Sequence, residues 1–227
     1  AADKRMVGIC LTAGGPLVLP TFAKETRTGT NPISLAAPSE KYPYFLFDAA
    51  MSSIAGNKVR LVARNGTELS PGSIGDDHGN PIMDSVGVDV SEDFIHIPPL
   101  LPLGGNRDQG SHKGYGLSLF VEILCTILSG NVPNMVDPNG NLCHFFAAFN
   151  IEAFTDYNNF ILNMDQMLET LLQTPSIADS ERVIYPGVIE YENELDRIEN
   201  GIPLHKEVVD WFDNISETMS VDRLKIS

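Results

Sequence analysis

Between Leu117 and Leu128 the chain carries Leu117, Leu119, Phe120, Val121, Ile123, Leu124, Ile127 and Leu128, so a helix through this run is apolar nearly all round. A helix without a polar side has to be buried, and any fold of this sequence must be built around it. Ser129-Gly130 closes the run. Just ahead of it stands Gly110-Ser111-His112-Lys113-Gly114-Tyr115-Gly116, one lysine among three glycines. Read as a turn that opens the helix after Tyr115, it exposes backbone N–H groups at the positive end of the helix dipole. Lys113 adds a mobile charge, and the combination suits a phosphate or a carboxylate. Spacing alone favours a plain tight turn, so the anion site rests on the rest of the chain.

Charge bears on that point. The 227 residues can form one large domain or two small ones, and a 43% hydrophobic content can fill a sizeable core. Fifteen Lys and Arg stand against thirty Asp and Glu, a formal net charge of −15. Such a surface repels phosphate backbones and anionic lipid unless its cations cluster, and these do not. Nucleic acid and membrane surfaces are therefore poor partners, and an anionic ligand has to be captured locally. Cys10, Cys125 and Cys143 are odd in number, sit mostly among apolar residues and lack metal-ligand spacing, so reduced, buried thiols and a cytoplasmic setting are expected. No run reaches the length of a membrane span and no signal peptide opens the chain. The sequence enters a strand almost at once after Ala1, with no helix or cap ahead of it, and a truncated beginning is expected.

Met6 to Leu11 and Leu17 to Leu19 read as two short strands about the turn Gly14-Gly15-Pro16. Thr28-Gly29-Thr30-Asn31-Pro32 forces a loop, because proline pushes Asn31 out of the helical region. Ile33 to Ala37 and Tyr44 to Phe47 follow as strands, the second passing at Asp48 into a helix start built from Ala49-Ala50-Met51-Ser52-Ser53. Lys58 to Ala63 alternates as a strand, with Arg64-Asn65-Gly66 as a hairpin-type turn. Pro71 to Gly110 is a long surface excursion, a length usually tied to function. Cys143 to Phe149 reads as a central strand. Phe160, Met164, Met167, Leu168, Leu171 and Leu172 form one core-facing helical stripe, and acidic Glu190 to Asn200 is a helix stopped by Gly201. A last amphipathic helix spans His205 to Ile215 around Trp211. Strands and helices in this order give the α/β class.

Familiar site motifs are missing. Gly114-Tyr115-Gly116 is followed by Leu117, Ser118 and Leu119, so the dinucleotide fingerprint is absent. Gly105 and Gly110 have the first phosphate-loop spacing, but Ser111 and His112 occupy the places of its Lys and Ser or Thr. Neither a GxSxG elbow nor an HExxH helix occurs.

A different constellation is present. Gly29-Thr30-Asn31-Pro32-Ile33, Phe47-Asp48-Ala49-Ala50-Met51-Ser52, and Gly56 with Lys58 stand in order along the chain. Asp77, Gly79, Pro81 and Asp84 follow, then Leu101-Pro102-Leu103-Gly104, His112-Lys113-Gly114-Tyr115-Gly116-Leu117, Tyr185-Pro186-Gly187 with Glu190, and Gly201-Ile202. The series resembles the type-2 malate/L-lactate dehydrogenases, which reduce 2-oxo acids with NAD(P)H without a Rossmann fold. The resemblance implies a mixed sheet flanked by helices, as in sulfolactate dehydrogenase. It implies NAD or NADP as cofactor, a small 2-oxo or 2-hydroxy acid as substrate, and a homodimer with the active site near its interface. Asp48, Ala49, Ala50 and Ser52 would contact the cofactor, Lys113 and Gly114 would hold its phosphates, and Gly187 would lie along the same groove. Thr30 would touch the substrate carboxylate, with Asn31 beside it. Residues 1–227 would then form a single cofactor-binding domain whose C-terminal helices occupy about 150–227. The family's N-terminal helical segment carries the catalytic His, which is expected upstream of Ala1.

Reducing a 2-oxo acid needs a hydride donor over the carbonyl carbon, a group for the carboxylate and an acid for the nascent alkoxide. His112 is nearest the anion loop and is open to three readings: proton donor, ribose or phosphate contact, or plain exposure. His78, His96, His144 and His205 read as structural or surface residues. Asp48 fits an ordinary helix N-cap as well as a cofactor contact. A module that keeps the groove but performs no chemistry remains the alternative to a dehydrogenase.

Overall fold

The structure, a computed structural model, describes residues 1–88, 97–177 and 182–224. Contacts gather the chain into two compact units, Ala1–Gly187 and Val188–Ser227. The first is organised by four antiparallel strands in the order β3-β2-β1-β6, namely β1 (Met6–Ala13), β2 (Ile33–Ala37), β3 (Phe45–Ala49) and β6 (Cys143–Asn150). A small ladder of β4 (Glu68–Leu69) and β5 (Val86–Gly87) stands apart. The parallel pairing among the described residues is the isolated bridge between Val18 and Leu100. Two apolar clusters fill this unit. Val18, Val59, Val62, Leu69, Ile74 and Leu100 pack beneath helix α1 (Gly56–Asn65), and Leu11, Ala13, Val121, Cys125 and Cys143 pack between the sheet and helix α2 (Ser111–Glu122).

Several expectations are corrected. Lys58 to Ala63 is helical, with Val59, Val62 and Ala63 buried at i, i+3 and i+4. Gly66 is its left-handed C-cap, φ 61°, donating to the Val62 and Ala63 carbonyls, so the Asn-Gly pair ends a helix instead of turning a hairpin. β3 continues through Ala49, and no helix starts there. Leu17 to Leu19 is reduced to bridges from Val18 to Thr28 and Leu100. β6 is an edge strand of the described sheet, not a central one, and its Phe146 is 72% exposed.

The apolar helix departs furthest from expectation. α2 begins at Ser111, not after Tyr115, with Gly110 in the left-handed region at φ 103° as its N-cap, and a π-helical turn (Ile123–Ile127) continues it. Its buried side is small or polar: Ser111, Gly114, Ser118, Val121 and Glu122. Leu117, Phe120, Ile123, Ile127 and Leu128 are exposed, so the described residues do not bury the whole circumference. In α3 (Tyr157–Leu172) the buried positions are Ile161, Asp165 and Leu168, while Met167 and Leu171 of the expected stripe are exposed. Asp165 Oδ1 accepts from the Glu40 and Lys41 amides at 3.0 and 3.2 Å, which explains a carboxylate on the inner face.

The second unit holds α4 (Val188–Asn200), followed by Gly201 at φ 82°, and α5 (Lys206–Met219), capped by His205. Lys206 pairs with Asp210 at 2.5 Å one turn on. No helix among the described residues is long and apolar enough to cross a membrane. The part of the surface excursion at 89–96, His96 included, lies outside the described residues.

Candidate functional site

The end of β3 is the centre of the candidate site. Asp48 pairs with Ser34 and Ala49 with Ile33, so both belong to a strand; Asp48 caps nothing, because the next helix opens only at Gly56. Its side chain is exposed on the same side of β3 as Leu46, and Ala49 and Ala50 are half-buried. The chain then bends through Met51 to Ser53, where backbone bonds tie three segments together. Met51 N–H donates to the Thr30 carbonyl at 2.7 Å, Leu103 N–H to the Met51 carbonyl at 3.0 Å and Ser53 N–H to the Leu101 carbonyl at 2.8 Å. Ser52 is 3% exposed and its hydroxyl donates to the Ile54 carbonyl at 2.6 Å, so it holds the bend and does not face an open groove.

Thr30 is thus adjacent to Met51, and the loop that carries it is locked from below by Asn31. Asn31 is 1% exposed and left-handed at φ 38°. Its Oδ1 accepts from Gly14 N–H at 3.1 Å, while Nδ2 donates to the Ser118 carbonyl at 3.1 Å and to Glu122 Oε1 at 2.9 Å. Glu122, 4% exposed, also accepts from Thr126 Oγ1 at 3.1 Å. The carboxamide is used up on α2 and the Gly14 turn, which makes Asn31 the anchor of the loop. A Cβ on Gly29 would lie 2.9 Å from the Gly14 backbone, so two loops meet there at main-chain contact.

On the other side, Gly114 lets α2 lie directly on the Leu101-to-Gly104 segment. A Cβ there would stand 2.3 Å from the Leu103 carbonyl oxygen, and one on Gly104 would stand 2.8 Å from Ser111 N. Ser111 N–H donates to the Asn106 carbonyl at 2.9 Å and Lys113 N–H to the Gly110 carbonyl at 2.8 Å, so these helix-start amides are spent internally. The cation remains available: Lys113 is exposed and forms no ion pair with a described residue. Gly187, at φ 105°, lies against the outer edge of β3, where a Cβ would meet the Tyr44 carbonyl at 2.6 Å, and Leu46 N–H donates to Pro186 at 3.0 Å. Tyr185 is buried there and its hydroxyl donates to the Pro43 carbonyl at 2.7 Å; burial pushes its phenol up to about 12.

Thr30, Met51, Leu103 and Gly114 therefore form one connected floor; exposed Asp48 precedes Met51 by three residues, exposed Lys113 precedes Gly114 directly, and Gly187 lies along β3. No described histidine is seen hydrogen-bonded to Thr30, Met51, Leu103 or Gly114. Arg107 Nη1 lies 2.7 Å from Nδ1 of His112, His144 Nδ1 is 3.0 Å from Thr12 Oγ1, and His205 caps α5. Sequence reasoning missed Glu122, read only as part of an apolar helix, and a cavity of about 540 Å³ beside Phe22, Lys24 and Arg107. A charged residue inside an apolar helical run was the available signal for the first; nothing in the sequence marks the second.

The profile of the malate/L-lactate dehydrogenases matches residues 1–213. The chain belongs to this family. It is 39% identical over 232 residues to a malate dehydrogenase of Pyrococcus abyssi, covering all of this chain and 62% of that protein. Among solved structures, a malate dehydrogenase from Entamoeba histolytica superposes with a TM-score of 0.86 at 30% identity, covering 100% of this chain and 64% of the other. A malate dehydrogenase from Pyrococcus horikoshii OT3 superposes at 0.79, with 33% identity over 99% of this chain and 61% of the other. The expected α/β fold of the family stands. The chain spans about 62% of the length of the curated relatives it matches.

Proposed function

We propose that this chain is the dinucleotide-binding part of an NAD(P)-dependent dehydrogenase that interconverts a small 2-hydroxy acid and its 2-oxo acid, of the malate/oxaloacetate or lactate/pyruvate kind. The observation that carries this reading is the connected floor of Thr30, Met51, Leu103 and Gly114, next in the chain to an exposed Lys113 with no ion pair to a described residue and close to an exposed Asp48. The donor set fits a nicotinamide dinucleotide: one mobile cation for a pyrophosphate, one carboxylate for hydroxyl groups, and small Ala49 and Ala50 where a flat ring must come close. When bound, that cofactor supplies or accepts the hydride. Lys113 neutralises phosphate charge, Asp48 accepts from ribose or carboxamide donors, and the Thr30 hydroxyl orients the substrate carboxylate against the end of β3. Proton delivery to the alkoxide falls to a group outside the described residues of this chain.

The reading extends to a homodimer in the cytoplasm. The exposed row Leu117, Phe120, Ile123, Ile127 and Leu128, with Phe146 on the β6 edge, supports the first, and three free cysteines support the second. Oxidation of NADH and of NADPH is to be followed with oxaloacetate and pyruvate in turn, beside a direct titration of each cofactor. Saturable cofactor binding with turnover is the expected result. Binding without turnover assigns a silent module, and no binding of either cofactor overturns the proposal.

A further inference from the structure

A cavity of about 540 Å³ lies between the turn at residues 20–23, the turn at residues 76–80 and the segment that runs from Leu101 into α2. Its volume falls within the ~300–1,000 Å³ common for small-ligand sites. Asp48, Ala49, Lys113 and Gly187 do not line it. Its walls are fixed against one another. Thr21 Oγ1 lies 3.0 Å from the Oγ of buried Ser111. A Cβ on Gly79 would stand 2.3 Å from the Ala23 carbonyl oxygen, and Asp76 Oδ1 accepts from the His78 and Asn80 amides at 2.8 Å.

Two features of the lining stand out. Phe22 occupies the third position of a turn closed by Ala23 N–H to the Pro20 carbonyl at 2.9 Å, with φ 70°. That backbone conformation favours glycine or asparagine, and a bulky residue there is strained. Burial does not offset the strain, because the side chain is 85% exposed, a phenyl ring held in water at the mouth of the cavity. The second feature is charge in a chain of net −15. Lys24 and Arg107 both line the cavity, and neither forms an ion pair with a described residue. Arg107 is aimed by His112, and Asp108 is the single carboxylate among the lining residues. The Ser111 and Lys113 amides of α2 are already bonded, so the attraction for an anion rests mainly on the two side chains.

A strained, solvated aromatic ring in one cavity with two cations that form no ion pair with a described residue matches a ligand that has a flat base at one end and a phosphate at the other. We propose that this cavity binds an adenine-type nucleotide, its base stacked on Phe22 and its phosphate held by Lys24 and Arg107. The source is either a free nucleotide or the adenosine phosphate end of a dinucleotide; only the second case rests on the function proposed above.

The test is calorimetric titration of the whole chain with AMP, repeated with Phe22→Gly, Lys24→Met and Arg107→Met, and again with NADH already present. AMP is expected to bind. Phe22→Gly should weaken it by roughly fivefold or more through lost stacking, yet raise the thermal midpoint, because glycine relaxes the left-handed position. A merely structural Phe22 would not move the two readings in opposite directions. Lys24→Met and Arg107→Met should each weaken AMP by roughly tenfold. Displacement of AMP by NADH assigns the cavity to the dinucleotide, and simultaneous binding assigns it to a separate nucleotide. No AMP binding at millimolar concentration, or affinity unchanged in all three variants, overturns the proposal even if NADH still binds. AMP binding without NADH binding would sink the function proposed above and leave this site standing.

Discussion

Replacing Asn31 by Ala strands Glu122, a residue 4% exposed that keeps, among the described residues, only the Thr126 hydroxyl as a side-chain partner. Taking a hydrogen-bond donor from a buried carboxylate costs about 1.5–3 kcal/mol, so the urea midpoint should fall. Asn31→Asp should be worse than Asn31→Ala, since it sets a second carboxylate 2.9 Å from the first. Lys113→Met belongs to the opposite class. Its side chain is exposed and pairs with no described residue, so stability should hold while dinucleotide affinity drops by about 1.5–3 kcal/mol in a fluorescence titration. Tyr185 gives a third residue-level outcome. Its phenol is raised by burial from 10.0 to about 12, so in the pH window between those values the unfolded chain ionises while the folded chain stays protonated. Stability present below pH 10.0 should therefore be lost as pH rises toward 12, and Tyr185→Phe should flatten that alkaline decline at a cost of about 1 kcal/mol for the bond to Pro43. Denaturation midpoints measured across this window check the sign.

At the scale of elements, the sequence discloses what local pattern controls. β2 matches the expected bounds, β1 and β3 come out within a few residues, and α4 ends at Gly201 as its composition implies. Lys58 to Ala63 misleads because six residues satisfy both periods. Val59 and Leu61 suggest alternation, while Val59, Val62 and Ala63 make the helical face that the Val18–Leu100 cluster selects. The glycines ahead of Leu117 mislead differently. Read as a loop, they belong to the helix, because Gly114 is required for contact between α2 and the Leu103 backbone and not for a turn. The candidate residues were legible as a set through resemblance; that Asn31 holds the scaffold was not, since a hydrogen-bond partner 87 or 91 positions away leaves no local mark. Gly114→Ala should separate α2 from the Leu101-to-Gly104 segment, with a loss of about 3 kcal/mol or more and a matching rise in amide exchange at Leu103.

For the molecule as a whole, the apolar residues that local pattern assigned to the core are only partly there. Leu128 and Phe146 are 67% and 72% exposed, which no stretch of this chain among the described residues remedies. Burial all round α2 was an inference from composition, and composition cannot say whether the covering surface belongs to the same chain. If a second copy covers it, sedimentation should show a dimer, and Phe146→Asp with Ile127→Asp should shift it toward the monomer without unfolding it. One further result comes from the carboxamide that joins the Thr30 loop to α2. Under the function proposed above, the loop that takes the acid and the helix that takes the nucleotide are joined through the Asn31 carboxamide, so neither settles into a ligand alone. The motional freedom surrendered to the first guest is not surrendered again to the second, and the two should greet each other with positive cooperativity, visible as deuterium uptake slowed at Gly14 by NADH alone.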